Sequence, residues 1–189
     1  MNYTLIRIFD ILISVFLLVA LFPLIVIISL LILIFDGRPI LFKQNRIGYC
    51  GKKFTIFKFR TMKNDVLKND NLRLTNFGKI LRKLSLDEIP QFINVLKKDM
   101  SIVGPRPLPE MIEKDIEKFF KHKRRMVHPG ITGLSQINYK GKYRKLDDKV
   151  KLDINYVENY SLHNYFKIIL YTPITLIIRL LKNKSSIIK

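Results

Sequence analysis

The stretch Ile11–Phe35, ILISVFLLVALFPLIVIISLLILIF, carries no charged residue. Roughly 25 residues at about 1.5 Å each reach about 37 Å as a helix, more than a hydrocarbon core of about 30 Å. The segment therefore belongs in lipid. Only Arg7 precedes it as a cation and no small-residue cleavage pattern follows, so a retained anchor is expected rather than a signal peptide. Pro23 falls near its middle, where a missing backbone donor and a clash with the preceding turn predict a kink. Each arm alone would span only about 18 Å, so a tilted crossing helix competes with a re-entrant hairpin that returns to its own face. Downstream, Arg38, Lys43, Arg46, Lys52, Lys53, Lys58 and Arg60 place the remainder in the cytoplasm by the positive-inside tendency, whichever topology holds.

A second uncharged run, Ile168 to Ile178, lies between Lys167 and Arg179 and contains Pro173. It is too short to cross a bilayer and predicts an interfacial helix, with Tyr165, Phe166 and Tyr171 at headgroup depth. The 189 residues suffice for one domain with a hydrophobic core. A net charge of +19 favours an anionic partner: lipid headgroups, a nucleotide or nucleic acid. The single cysteine, Cys50, excludes an internal disulfide and any multi-cysteine metal site. His122, His128 and His163 lack metal-ligand spacing.

Between the two membrane segments the pattern is α+β, predominantly helical. Pro39–Lys43 and Lys53–Arg60 are strand-like and flank Gly48 and Gly51, which predicts a small hairpin. Phe77, Ile80, Leu81 and Leu84 repeat at helical spacing, as do Ile89, Phe92, Ile93 and Leu96, so two amphipathic helices meet near Ser85. Ile112, Ile116, Phe119 and Phe120 mark a third, ending in the basic cluster Lys121 to Arg125.

Leu84-Ser85-Leu86-Asp87-Glu88-Ile89-Pro90 sets adjacent carboxylates at the start of an apolar-periodic helix. It reads as a capping box, Ser85 accepting from the backbone at Glu88 and Glu88 reaching back. It also reads as chemistry: helix-start amides would keep Asp87 ionised, and a carboxylate is a competent nucleophile toward phosphorus. Lys58, Arg60, Arg82 and Arg106 are candidate phosphate partners. Arg106 is the sharpest, because Pro105 and Pro107 restrict its backbone and a guanidinium grips phosphate bidentately.

Several ordered blocks resemble the bacterial sugar transferase family of small monotopic polyprenol-phosphate phosphoglycosyl transferases. They are the proline-broken membrane segment, Phe42-Lys43-Gln44-Asn45-Arg46-Ile47-Gly48, Phe57-Lys58-Phe59-Arg60-Thr61-Met62, Leu84 to Glu88, Asp99 to Pro107, and Pro129-Gly130-Ile131-Thr132-Gly133. The similarity runs from about Arg7 to Leu181. It implies a re-entrant membrane helix kinked at Pro23, with residues 1–36 as anchor and 37–189 as a catalytic domain on the cytoplasmic face of the inner membrane. It further implies a UDP-sugar donor, undecaprenyl phosphate as acceptor, Mg²⁺ as cofactor, Asp87 as nucleophile, Glu88 as its partner, and this pair as the metal-binding carboxylates. Lys58, Arg82 and Arg106 carry over as phosphate or nucleotide contacts, and no nucleic acid is expected as a partner. Three positions depart from the pattern: Phe22 replaces a common Ser before Pro23, His128 replaces a common Arg, and Asn138-Tyr139-Lys140-Gly141 replaces the usual Asn-Gly-Arg. A metal-dependent lipid phosphohydrolase would use the same carboxylates but pass its intermediate to water. A membrane-tethered nucleic-acid binder would explain the charge without needing Asp87.

Overall fold

The computed structural model describes residues 2–63, 73–114, 116, 118–138 and 145–185. The apolar segment forms two helices, α1 (Asn2–Ala20) and α2 (Phe22–Phe35), joined at Leu21. Pro23 lies in the first turn of α2, where its missing N–H costs no helical bond, so the segment breaks just before the proline. Both arms return to the same body. At one end, Ile6 of α1 is buried with Phe54, Val95, Met100 and Tyr165; at the other, Ile28 and Ile32 of α2 are buried against Phe59, Leu81 and Ile89. The elbow between them is bare: Phe16, Val19 and Phe22 are each more than 60% exposed.

The hairpin forms as expected from β1 (Leu41–Ile47) and β2 (Lys53–Phe59), antiparallel, with Leu41 opposite Phe59 and Ile47 opposite Lys53. Next comes α3 (Asn76–Lys83), capped by the Thr75 hydroxyl, which accepts from the Gly78 amide at 2.9 Å. A 3₁₀ turn, Leu86–Glu88, leads into α4 (Gln91–Leu96). The buried side of α4 is not the apolar stripe that periodicity picks out. Gln91, Asn94 and Val95 face inward, while Ile93 and Leu96 are exposed, as are Ile80 and Leu84. Asn94 earns its burial by bonding β2: its oxygen accepts from the Phe57 amide at 3.0 Å and its amide donates to the Thr55 carbonyl at 2.7 Å.

Sequence periodicity does not reveal β3 (Ser101–Val103) and β4 (Gly130–Thr132), which pair in parallel with Ser101 opposite Gly130. The expected third helix divides into α5 (Glu110–Lys114) and α6 (Lys118–Arg124), the latter keeping its basic last turn; the side chain of Phe119 lies outside the described residues. After α7 (Leu134–Ile137) and α8 (Leu146–Glu158), α9 runs from Leu162 to Ser185. The helix is longer than the piece expected at Ile168–Ile178. Lys167 and Arg179 are good helix formers and do not end the helix, and the hydroxyls of Thr172 and Thr175 bond the carbonyls of Ile168 and Tyr171 on either side of Pro173. By length and composition Tyr3–Ala20 and Leu162–Leu181 are each able to cross a membrane. The protein is an α+β, predominantly helical membrane protein.

One polar group ties the apolar helices together. Asp10 on α1 is 2% exposed, and its Oδ1 accepts from the Ser101 hydroxyl at 3.0 Å, the Ile102 amide at 2.8 Å and the Tyr165 hydroxyl at 2.8 Å. Helix α1, strand β3 and helix α9 thus meet on one carboxylate oxygen.

Candidate active site

The 3₁₀ turn holds the two candidate carboxylates. Ser85 sits in the left-handed region at φ 57° and makes no side-chain cap bond, so the capping box does not form. A left-handed Ser85 ends α3 and turns the chain so that Asp87 points inward, 7% exposed, and Glu88 toward the hairpin. Lys58 on β2 donates to Glu88 Oε1 at 2.7 Å, and Arg106, from the loop after β3, donates to the same oxygen at 3.0 Å. Two segments far from it in sequence therefore converge on Glu88.

The two carboxyls differ in their electrostatics. Burial alone would raise Glu88, but Arg106 and Lys58 overcome it and hold the group down at about 2. Asp87 goes the other way: burial and then the charge of Glu88 push its carboxyl above the usual range, with Lys58 and Arg82 opposing. The turn at Asp87 is only three residues long, so the helix-start stabilisation of its charge is small, and burial outweighs the backbone hydrogen bond that favours the ionised form. Among the described residues no side chain donates a hydrogen bond to Asp87. Arg82 is exposed at the end of α3 and donates from Nε to the Thr61 hydroxyl at 2.9 Å.

Arg46, on the face of β1 that neighbours Lys58, joins the site without having been singled out. Burial and then the nearby Arg106 charge lower its guanidinium to about 10, with Glu88 opposing. Four cations, Lys58, Arg46, Arg82 and Arg106, thus surround two carboxylates, leaving positive charge uncompensated for an anionic ligand. Arg60 does not join them. It is 6% exposed and spends its guanidinium on the carbonyls of Asp36, Gly37 and Arg38, stapling the end of α2 to β2.

The loop that bears Arg106 is held by backbone approach. Gly104 donates to the Thr132 carbonyl at 2.9 Å, and Gly130 to the Pro105 carbonyl at 2.9 Å. A Cβ at Gly104, Gly130 or Gly133 would collide with backbone atoms of this pair. His128, just before β4, stacks its ring on Tyr49 at 4.5 Å, away from the dyad. Of the divergent stretch at Asn138, residues 139–144 lie outside the described residues.

For a metal, Asp87 offers a carboxylate with no side-chain donor among the described residues, and Glu88 its second oxygen. No group of three or more His, Cys, Asp and Glu side chains suited to a metal occurs among the described residues. Two carboxylates fit Mg²⁺, which keeps water and substrate phosphates as its remaining ligands, and do not fit a closed structural zinc site.

A family model described as bacterial sugar transferase matches residues 1–179. The chain is 41% identical over 176 residues to the uncharacterized sugar transferase EpsL of Bacillus subtilis, covering 88% of this chain and 84% of that protein. It is 37% identical over 189 residues to the UDP-glucose:undecaprenyl-phosphate glucose-1-phosphate transferase of Escherichia coli, covering 90% of this chain and 40% of that one. To the UDP-N-acetylgalactosamine-undecaprenyl-phosphate N-acetylgalactosaminephosphotransferase of Aeromonas hydrophila it is 40% identical over 136 residues, covering 66% of this chain and 32% of that one. The chain thus spans most of EpsL but less than half of the other two.

Proposed function

The chain belongs to the bacterial sugar transferase family, and on that premise we propose that it moves a sugar-1-phosphate from a UDP-sugar to undecaprenyl phosphate with release of UMP. The substrates named for its relatives support the pair. The observation that carries the mechanism is the contrast within the dyad: Glu88 is gripped by Lys58 and Arg106, while the buried Asp87 carboxylate takes no side-chain hydrogen bond among the described residues. Asp87 attacks the sugar-bearing phosphorus; the bond from that phosphorus to the bridging oxygen breaks, and UMP departs with the electron pair. An oxygen of the polyprenyl phosphate then attacks the aspartyl phosphosugar, the carboxylate leaves, and a polyprenyl diphosphosugar remains. Raising the Asp87 carboxyl makes its ionised form a stronger electron donor, and the surrounding cations offset the repulsion between it and the diphosphate. Mg²⁺ bound by Asp87, Glu88 and the donor phosphates would add further charge neutralisation. Lys58, Arg82 and Arg106 contact the donor's phosphates.

The return of α1 and α2 to one body supports a re-entrant anchor, residues 1–36, dipping into the cytoplasmic leaflet of the bacterial inner membrane. Residues 37–189 then work on the cytoplasmic face, and the basic run after α2 supports that side. One substrate is soluble and the other cannot leave the bilayer, so an interfacial site supplies proximity for both. The product is suited to begin a surface glycan or glycoconjugate.

The test is to incubate protein, Mg²⁺ and a panel of UDP-sugars without lipid. With the matching donor, UMP appears in a burst and one phosphosugar mass maps to Asp87; adding polyprenyl phosphate discharges it into lipid. Discharge into water instead would make the enzyme a phosphohydrolase, and rapid turnover with no adduct would require direct transfer.

A further inference from the structure

The side chain of Arg106 is 47% exposed, so little packing along its length directs it to Glu88. Its root, by contrast, is immobilised. Three successive carbonyls are each taken by a donor from elsewhere in the fold. Pro105 accepts from the Gly130 amide at 2.9 Å, Arg106 from Arg124 Nη2 at 2.7 Å, and Pro107 from Arg46 Nη1 at 3.1 Å. Fixing the carbonyls before, at and after one residue fixes both peptide planes that meet at its Cα, and with them the direction of its Cα–Cβ bond.

Arg124 suits this role because it is itself held. Its side chain is 5% exposed, and Nε and Nη2 both donate to Asp153 Oδ2, at 3.1 and 3.0 Å, from α8. A buried guanidinium with a single carboxylate partner is a costly element for stability alone. Here its fork also reaches the backbone of a residue in the site. Arg46 mirrors it from β1, anchored through Nη2 on the Gln44 side-chain oxygen. Neither contact follows from residue spacing.

We infer that Arg124, fixed by Asp153, and Arg46 are positioning residues that clamp the backbone on either side of Arg106 and so aim its guanidinium at the donor's phosphates. The inference rests on the proposed phosphate contact of Arg106. It assigns the pair no contact with the reacting atoms.

Arg124→Lys keeps the charge opposite Asp153 but lacks the fork that reaches Asp153 and the Arg106 carbonyl together. The experiment is a double-mutant cycle: kcat and donor KM for the wild type, Arg124→Lys, Arg106→Ala and the double variant, with thermal unfolding of all four. Arg124→Lys is expected to lower donor kcat/KM on the order of tenfold, the worth of one charged hydrogen bond. In the Arg106→Ala background the same change should cost less than about twofold, while its unfolding midpoint drops equally in both backgrounds. A wild-type rate for Arg124→Lys, or a loss of equal size in both backgrounds, overturns the clamp and leaves a structural ion pair. Wild-type kinetics for Arg106→Ala overturn the phosphate contact itself, and the clamp with it. Should Arg124→Lys not fold, Arg46→Lys runs through the same cycle with the same outcomes.

Discussion

Asp10 and Asp87 are both nearly removed from solvent, at 2% and 7% exposure, yet the fold treats them in opposite ways. Asp10 takes three hydrogen bonds on one oxygen, from Ser101, Ile102 and Tyr165, and joins α1, β3 and α9. Asp87 takes none from side chains among the described residues and is left beside a carboxylate that two cations have claimed. Burial therefore does not distinguish a structural from a reactive carboxyl; side-chain partners do. A carboxylate tied by hydroxyls and an amide to two other elements is held in place, whereas one with no side-chain hydrogen bond is open to a ligand.

The sharpest way to break this contrast is Asp87→Asn. The amide is nearly the same size, so the fold should keep its unfolding midpoint while turnover falls by about 10³-fold or more and the phosphosugar adduct disappears. Near-normal turnover would end the distinction. Asp10→Ala should do the reverse. It strands three buried donors and should cost about 4 kcal/mol of stability, whereas the protein that remains folded, normalised by adduct yield, should keep its rate. A pH titration adds a third arm at His128, which lines the same small cavity as Asp10. Burial first, then Arg7 and Lys98, lower its ring to about 4, with Asp99 opposing. With the folded value below the unfolded value of about 6.5, the unfolded state binds the proton first. Its contribution is thus present above pH 6.5 and is lost as pH falls toward 4. The loss is read as the difference between wild type and His128→Gln in unfolding midpoints across that window. The smallest effect is that of Tyr165→Phe, which removes one of the three donors and leaves two; about 1 kcal/mol is expected, with kcat unchanged.

What the sequence made legible follows the range of the interactions involved. The hairpin rests on local alternation and turn glycines; β2 stands where those signals put it, while β1 runs over Leu41–Ile47 and not the expected Pro39–Lys43. Pro23 marked the break because its effect is confined to one turn. The active-site grouping is different: local pattern makes Ser85-x-x-Glu88 a cap, and only the ordered resemblance brought Asp87, Glu88, Lys58 and Arg106 together. Periodicity failed at α4 because Asn94 faces inward to bond β2, a demand made by a strand some 40 positions earlier. It failed at α9 because charged residues within a helix need not end it. Arg46, Arg124 and Asp10 were not singled out as working residues, since each acts through partners that no local window contains; Asp10 reaches Tyr165 across 155 positions. The family match spans residues 1–179, so these long-range ties lie within the part that the family defines.

The close approach of β3 and β4 has an evolutionary consequence. With no room for a Cβ at Gly104, Gly130 or Gly133, and with Pro105 and Pro107 setting the chain between them and Arg106, this knot has almost no neutral neighbours in sequence space. Point changes there damage the backbone before they can alter a preference. Diversification toward a new donor sugar has to be carried by side chains that leave the knot. His128 shows how a side chain leaves the knot: its carbonyl lies against Gly104, while its ring stacks on Tyr49.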